Sequence, residues 1–416
     1  MKNFLLIMVV IFLTIFLAHL DSFASKQNFD LSVEGQNNPE KDLKAAQEAI
    51  DKGGSILLKG VFNFGEKGQV IIKNDVEIMG ETDNEGKLLT IIKGGKNSFH
   101  APLPTGGLPL KDQGPKISIH SIHFDGALFT PIHLAYTSGA KIEGNNITNV
   151  KPYNTGYAPW HAGAVVGTHF MTGTGIIQGA VTGNLTFKKN RVDLLTDKPK
   201  ETLGQGIYCQ LTWGATIKIS ENTFTNVCRN SIECLDNSID GEGRGRIIIT
   251  KNKIITPVEG SPLPSPSNYP NGVVVGWYHD MSGGADASRN SKILIMDNDI
   301  EMNGERACAI MSLADETIIL ENKIHMKGGA ESKAILQLGS NGFIARNKIE
   351  GSGKWAIREV PYGVFKGSGN TFAWNDFREF NALAADAIFL GNKNTIVGEK
   401  CKVDDQGKEN VILIEN

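Results

Sequence analysis

Asparagine returns at a nearly constant interval in the C-terminal half of this chain. The phrase Asn-x-(Ile/Phe) occurs as Asn298-Asp-Ile300, Asn322-Lys-Ile324, Asn347-Lys-Ile349 and Asn370-Thr-Phe372, at spacings of 24, 25 and 23 residues, and Asn392 follows 22 later. A fixed period in this range marks a solenoid, in which each unit buries its apolar face against its neighbours. Within each period, short β-branched runs alternate with polar and glycine turns, as in Thr317-Ile-Ile-Leu320 and Ile324-His-Met326 before Gly328-Gly329, with no helical periodicity. Three short strands and three turns fill about 20 to 25 residues, so each period makes one coil of a parallel β-helix.

The column extends upstream through Asn146, Asn190, Asn222 and Asn252 with gaps of 44, 32, 30 and 46 residues, which place insertions within regular coils. Asn74-Asp-Val76 and Ser121-Ile-His-Phe124 fit the same register. Asparagine suits such a turn because it tolerates a left-handed backbone and its amide can bond the amides above and below. The expectation is an all-β, right-handed parallel β-helix of about 11–12 coils.

The N-terminal part divides differently. Residues 1–24 carry one cation at Lys2, an apolar run from Phe4 to about Leu20 and a small-x-small end at Ser22-Phe23-Ala24, the pattern of a cleaved secretory signal, with an uncleaved signal-anchor as the alternative. Residues 25–60 form a cap segment with a helix over 39–51: Asn38 is the N-cap, Pro39 opens the first turn, and Leu43, Ala46, Ala49 and Ile50 share one face before Gly53-Gly54. Such a helix covers the apolar interior that a terminal coil exposes. Residues 61–416 then form one β-helix domain. The formal net charge of −3 lacks the basic field that selects nucleic acid. With the signal removed no membrane span is expected, and the chain reads as a secreted or periplasmic monomer. Five cysteines, an odd number, do not make a disulfide framework. Cys209 and Cys234, 25 residues apart, are expected on adjacent rungs, where a bridge is permitted but not required.

The stretch Lys44-Ala-Ala-Gln-Glu-Ala-Ile50, Gly53-Gly54-Ser-Ile-Leu-Leu58, Val70-Ile-Ile72 and Val76-Glu-Ile-Met-Gly80 resembles the first coils of pectin-lyase-like β-helix proteins, and the resemblance covers nearly the whole mature chain. It implies the fold and, for the enzymes of that superfamily, a polysaccharide lying along one sheet face. It does not imply one activity, because lyases, hydrolases, epimerases, esterases and non-catalytic binders share it.

Insertions bracket one strand of each coil: about 151–163, 195–205 and 257–271 before it, and about 171–182, 236–245 and 279–290 after it. Walls on both sides of a sheet face make a groove, where binding residues concentrate. Alternation gives the floor. With Ile207, Cys209, Ile232 and Cys234 inward, Tyr208, Gln210 and Glu233 face out, as does His133, while His169 ends its strand. The loops add Tyr157, Trp160, Trp213, Trp277, Tyr278, His279 and Asp280, with Tyr153 and Tyr269; exposed aromatics of this kind stack on sugar rings.

Two cleavage chemistries fit these residue types. Hydrolysis needs two carboxyl groups, offered by Glu233, Asp236 and Asp280. β-Elimination needs a base and a cation, offered by His169, Tyr208 or His133 with Arg229 or Arg358. The motif sets of polygalacturonases, extracellular pectate lyases and pectin methylesterases are absent as sets. No cofactor is required; Asp236, Asp240 and Glu242 offer hard oxygens for Ca²⁺ without a known loop spacing, and His161, His169 and His279 are isolated candidates for a transition metal. The sequence therefore points to an exported polysaccharide lyase or glycoside hydrolase, with a non-catalytic glycan-binding or adhesion protein as the alternative and a metal-handling β-helix protein as a lesser one.

Overall fold

The structure is a computed structural model that describes residues 29–102, 113–150, 163–167, 170–172, 175–178, 180–194, 205–209, 215–235, 245–256, 270–276, 291–360, 365–384, 388–398 and 403–413. Isoleucine at every second strand position sets its architecture. Ile207, Ile232, Val273, Ile310, Ile335 and Ile357 pair in succession from coil to coil, all fully buried. Each is worth roughly 1.5–3 kcal/mol of burial, and the stack forms one wall of a continuous core. That wall is a 12-stranded parallel sheet; the remaining coil segments form a 24-stranded sheet that bends around the other two faces. The chain is a parallel β-helix, an all-β solenoid with one helix among the described residues, at its N-terminal end.

The asparagine column is a hydrogen-bonded ladder inside the corner between the two segments of the larger sheet. In order it runs Asn145, Asn190, Asn222, Asn252, Asn298, Asn322, Asn347 and Asn375. Asn322 shows the pattern. Its backbone N–H and side-chain Nδ2 both donate to Asn347 Oδ1, at 3.0 and 2.9 Å, and Nδ2 also donates to the Ile295 carbonyl at 3.0 Å.

Several sequence expectations change here. The first asparagine rung is Asn145, not Asn146, and Ile122 holds the equivalent place one coil earlier, its N–H donating to Asn145 Oδ1. The left-handed conformation belongs to the residue before each rung: Lys189, Glu221, Lys251, Asp297, Glu321, Arg346 and Trp374 have φ of 53–63°. These side chains point to solvent, where Arg346 reaches Glu321 of the preceding coil. The strain, roughly 1–2 kcal/mol per residue, is offset by a rung whose hydrogen bonds contribute about 1 kcal/mol each. Asn370 and Asn392 are not in this ladder. Asn370 sits on the corner before it, where Gly342 N–H donates to Asn370 Oδ1, Asn370 N–H to Asn394 Oδ1, and Asn394 N–H to Asn410 Oδ1. Asn74 also precedes that other corner, since Val76 pairs with Ile117 and not with a residue of the asparagine-led segment.

The helix spans Pro39–Lys52, one residue beyond expectation, with Asn38 Oδ1 accepting from Lys41 N–H and Gly53 ending it at φ 69°. Ala46, Ala49 and Ile50 are buried on the first coil, with Leu43 packed beside them. A strand the sequence did not announce, Leu31–Gln36, pairs with Gly54–Asn63 ahead of it. Asp42 locks the two together, its carboxylate accepting from the backbone N–H groups of Gln36, Asn38 and Asn63, each at 2.8 Å. Among the described residues no helix is long and apolar enough to cross a membrane. The proposed signal, residues 1–24, lies outside them.

Candidate functional site

The outward residues of the 12-stranded sheet stack as strictly as the inward ones. The row runs His100, His133, Tyr208 and Glu233, then Val274, Met311, Leu336 and Arg358, with the strand Gly163–Gly167 pairing between those of His133 and Tyr208. Coils rise about 4.8 Å, so Tyr208 and Glu233 are neighbours, and His133 stands two coils before Tyr208. Tyr208 is 4% and Glu233 6% exposed. The expected open floor is therefore a buried one: these side chains point away from the bore yet are enclosed.

Glu233 is held by amides. Its Oε2 accepts from Asn230 Nδ2 at 2.6 Å and from Gln205 Nε2, and Asn230 is in turn oriented by Asn271 Nδ2, which donates to its Oδ1 at 2.7 Å. Among the described residues none bonds the other carboxylate oxygen, Oε1, which makes it an acceptor on this face that can take a proton or a ligand hydroxyl. Burial and then the adjacent Glu233 charge raise the Tyr208 phenol far above its ordinary range, against a smaller opposing effect of Arg229, so the phenol keeps its proton at neutral pH. Tyr208 is consequently a hydrogen-bond donor and not the base envisaged from the sequence.

Two coils away, His100 and His133 stack with ring centroids 4.8 Å apart and planes 17° from parallel. Burial first, then the neighbouring His100 and Lys96, push His133 down to about 3, and burial also lowers His100. Both imidazoles are neutral. A conjugate acid that strong makes His133 a poor base, but both of its ring nitrogens, Nδ1 of His100 and Oε1 of Gln205 are buried without a hydrogen-bond partner. Each such atom costs roughly 1–3 kcal/mol. These atoms are concentrated along one sheet face, the one that carries Glu233.

Further along, the face changes character. Val274, Met311 and Leu336 join Leu313, Leu338, Val360 and Phe365 in a small apolar cluster outside the bore. Beyond it Trp355 lies between Lys354 and Arg358, each 4.6 Å from its ring centre. Lys354 and Arg358 are half-buried.

Of the sequence-derived candidates, the register unites His133, Tyr208 and Glu233, and Arg229 lies just ahead of the Glu233 strand. His169, Asp236, Tyr157, Trp160, Gln210, Trp213, Trp277, Tyr278, His279 and Asp280 lie outside the described residues, as do His161, Asp240 and Glu242. Gln205, Asn230, Asn271 and His100 were missed. Their common signal is a polar residue at the strand start, or one coil earlier, in register with a candidate already named. The strand that carries His133, Ile132–Leu134, is short, because Tyr136 already belongs to the larger sheet. Cys209 and Cys234 do pair in register, and both are buried. Among the described residues, no three metal-ligating side chains converge.

Fold and face together define a parallel β-helix protein with an enclosed polar row on its 12-stranded sheet. No protein-family profile and no curated protein matches the chain. Solved structures of similar architecture include the A-module of a mannuronan C-5 epimerase from Azotobacter vinelandii (14% identity, covering 90% of this chain and 96% of that one, TM-score 0.42). A surface adhesin of Streptococcus pneumoniae gives 12%, 88%, 87% and 0.42, and an alginate lyase in complex with a trisaccharide gives 11%, 94%, 86% and 0.35. Likeness at this level carries no information about activity.

Proposed function

We propose that this chain is an exported protein that binds a polysaccharide along the outer face of the 12-stranded sheet and cleaves it beside Glu233. One observation carries this reading: the buried polar atoms without partners at His100, His133 and Gln205 fall in the same sheet face as Glu233 Oε1. A chain of hydroxyl-bearing rings matches such a row, because a sugar unit and a coil have similar lengths, roughly 5 Å. In the proposed chemistry Oε1 of Glu233 exchanges a proton with the substrate, the protonated Tyr208 donates to a substrate oxygen, and the amides of Gln205 and Asn230 hold Oε2 in place. Lyase chemistry requires only this base together with a cation such as Arg229; hydrolysis requires a second carboxyl group, for which Asp236 or Asp280 are the candidates.

Incubation with a panel of neutral and acidic polysaccharides tests the proposal. New reducing ends, with or without the ultraviolet absorbance of an unsaturated product, are expected from the native chain and not from Glu233→Gln. Cleavage by neither, with retained retardation in glycan-containing gels, replaces the enzyme by a glycan-binding protein. Absence of both removes the carbohydrate reading altogether.

A further inference from the structure

The inward row of the 12-stranded sheet begins apolar and turns polar: Cys209, Cys234 and Val275 are followed by Ser312, Gln337 and Glu359 in successive coils. Glu359 is 0% exposed, a carboxyl group inside the bore of the solenoid. Two glycines make room for it, since a Cβ at Gly391 would stand 2.7 Å from its Oε2 and one at Gly367 3.0 Å from its Oε1. The groups on one side of it are all donors. Gly391 N–H and Asn394 Nδ2, the latter at 2.9 Å, reach Oε2, and Asn370 Nδ2 reaches Oε1 at 3.5 Å. Asn370 and Asn394 are rungs of the second ladder, so Glu359 ties that corner to the opposite sheet. On the other side its Cα partner is Gln337, whose Nε2 donates to the carbonyls of Gly339 and Ala314 and whose Oε1 is buried with no partner. No cation and no second acid among the described residues acts on Glu359; its hydrogen-bond partners are Asn370, Asn394 and the Gly391 N–H, and Gln337 is its Cα partner on the preceding coil.

We propose that Glu359 is a proton-operated latch on the C-terminal coils: with its proton it donates to Gln337 Oε1 and tightens coils 337–398, and without it a sealed charge loosens them.

Burial raises the carboxyl from 4.5 to about 7, against the lowering effect of its three donors. The folded form therefore holds a proton that the unfolded form has released. The stabilisation is complete below about 4.5, declines as pH rises, and is lost above about 7. An acidic surrounding thus tightens this end of the solenoid and an alkaline one opens it, independently of the proposed glycan chemistry around Glu233.

Hydrogen exchange of the full chain between pH 5 and 8, corrected for intrinsic exchange rates, reads the effect locally. The segment Thr371–Val397 is expected to lose protection on the order of a hundredfold while Ile56–Ile92 stays constant. Glu359→Gln should abolish the difference, its amide keeping a donor for Gln337 without a charge to release. Equal pH dependence in the native chain and the variant overturns the latch. Should Glu359→Gln not fold, infrared spectroscopy of the native chain decides: a buried protonated carboxyl that titrates between pH 6 and 8 supports the proposal, and its absence overturns it. Glycan binding that fails while the exchange pattern holds would remove the functional reading and leave the latch standing.

Discussion

Asn347 donates its side-chain amide to Asn375 Oδ1 at 2.9 Å, and not to Asn370, although Asn370 continues the repeat phrase. The ladder is defined by which corner a residue occupies, and Asn370 occupies the neighbouring one. Each rung is a shared acceptor, so removing one strands groups on both sides. Asn322→Ala deprives the Asn298 N–H and Nδ2 of their acceptor and leaves the Ile295 carbonyl without its donor. Denaturant unfolding should show a loss of about 3–5 kcal/mol, whereas Asn392→Ala, outside both ladders, should cost less than about 1 kcal/mol.

Lys251 has φ 57° and stands before the rung Asn252. Lys251→Gly relieves the left-handed strain and is expected to be neutral or stabilising by up to about 1 kcal/mol, the gain being reduced by greater chain entropy in the unfolded state. Lys251→Val, whose branched side chain fits this region worst, should destabilise by at least about 1 kcal/mol. Thermal unfolding of the pair separates a backbone effect from loss of the lysine charge, because both variants lack it.

Asp42 closes the N-terminal end through three backbone donors. Asp42→Ala leaves those N–H groups unsatisfied and is expected to cost about 3 kcal/mol or more. Limited proteolysis should then cut within the cap helix Pro39–Lys52 before any later coil.

His133 should trade stability for binding. Replacing it by leucine removes two buried nitrogens that lack partners, so His133→Leu is expected to stabilise the chain by about 1–3 kcal/mol. Glycan retardation should weaken at the same time. A variant that is less stable and binds as before would show that these nitrogens do not await a ligand.

The Arg378 guanidinium grips Asp376 with two bonds of 2.8 and 2.6 Å, and this hydrogen bonding holds the carboxyl down at about 2, below its ordinary 3.8. The folded value is the lower one, so the contribution is present above pH 3.8 and lost as pH falls through 2. Because the pair is solvent-exposed the energy is small. Arg378→Ala should return the Asp376 titration, followed by carboxyl chemical shift, to near 3.8.

The sequence by itself determined the coiled architecture, since a period of 22–25 residues filled with short β-branched runs has no other way to bury its apolar side chains. It also determined the cap helix and the rows of the sheet: once Ile207 and Ile232 face the core, alternation sends Tyr208 and Glu233 the other way. Tertiary structure alone decided the rest, because hydrogen bonds between coils depend on which residues become neighbours across 24 to 46 positions of chain. That is why Asn145 and Asn375, rather than Asn146 and Asn370, are rungs, and why the strained backbone sits one residue ahead of each asparagine. Enclosure was equally invisible in the one-dimensional pattern. Alternation tells which way Glu233 and Glu359 point, but only the packed solenoid shows Glu233 buried and held through one oxygen by two amides and Glu359 sealed in the bore, where the cost of charge rather than the residue type sets its chemistry.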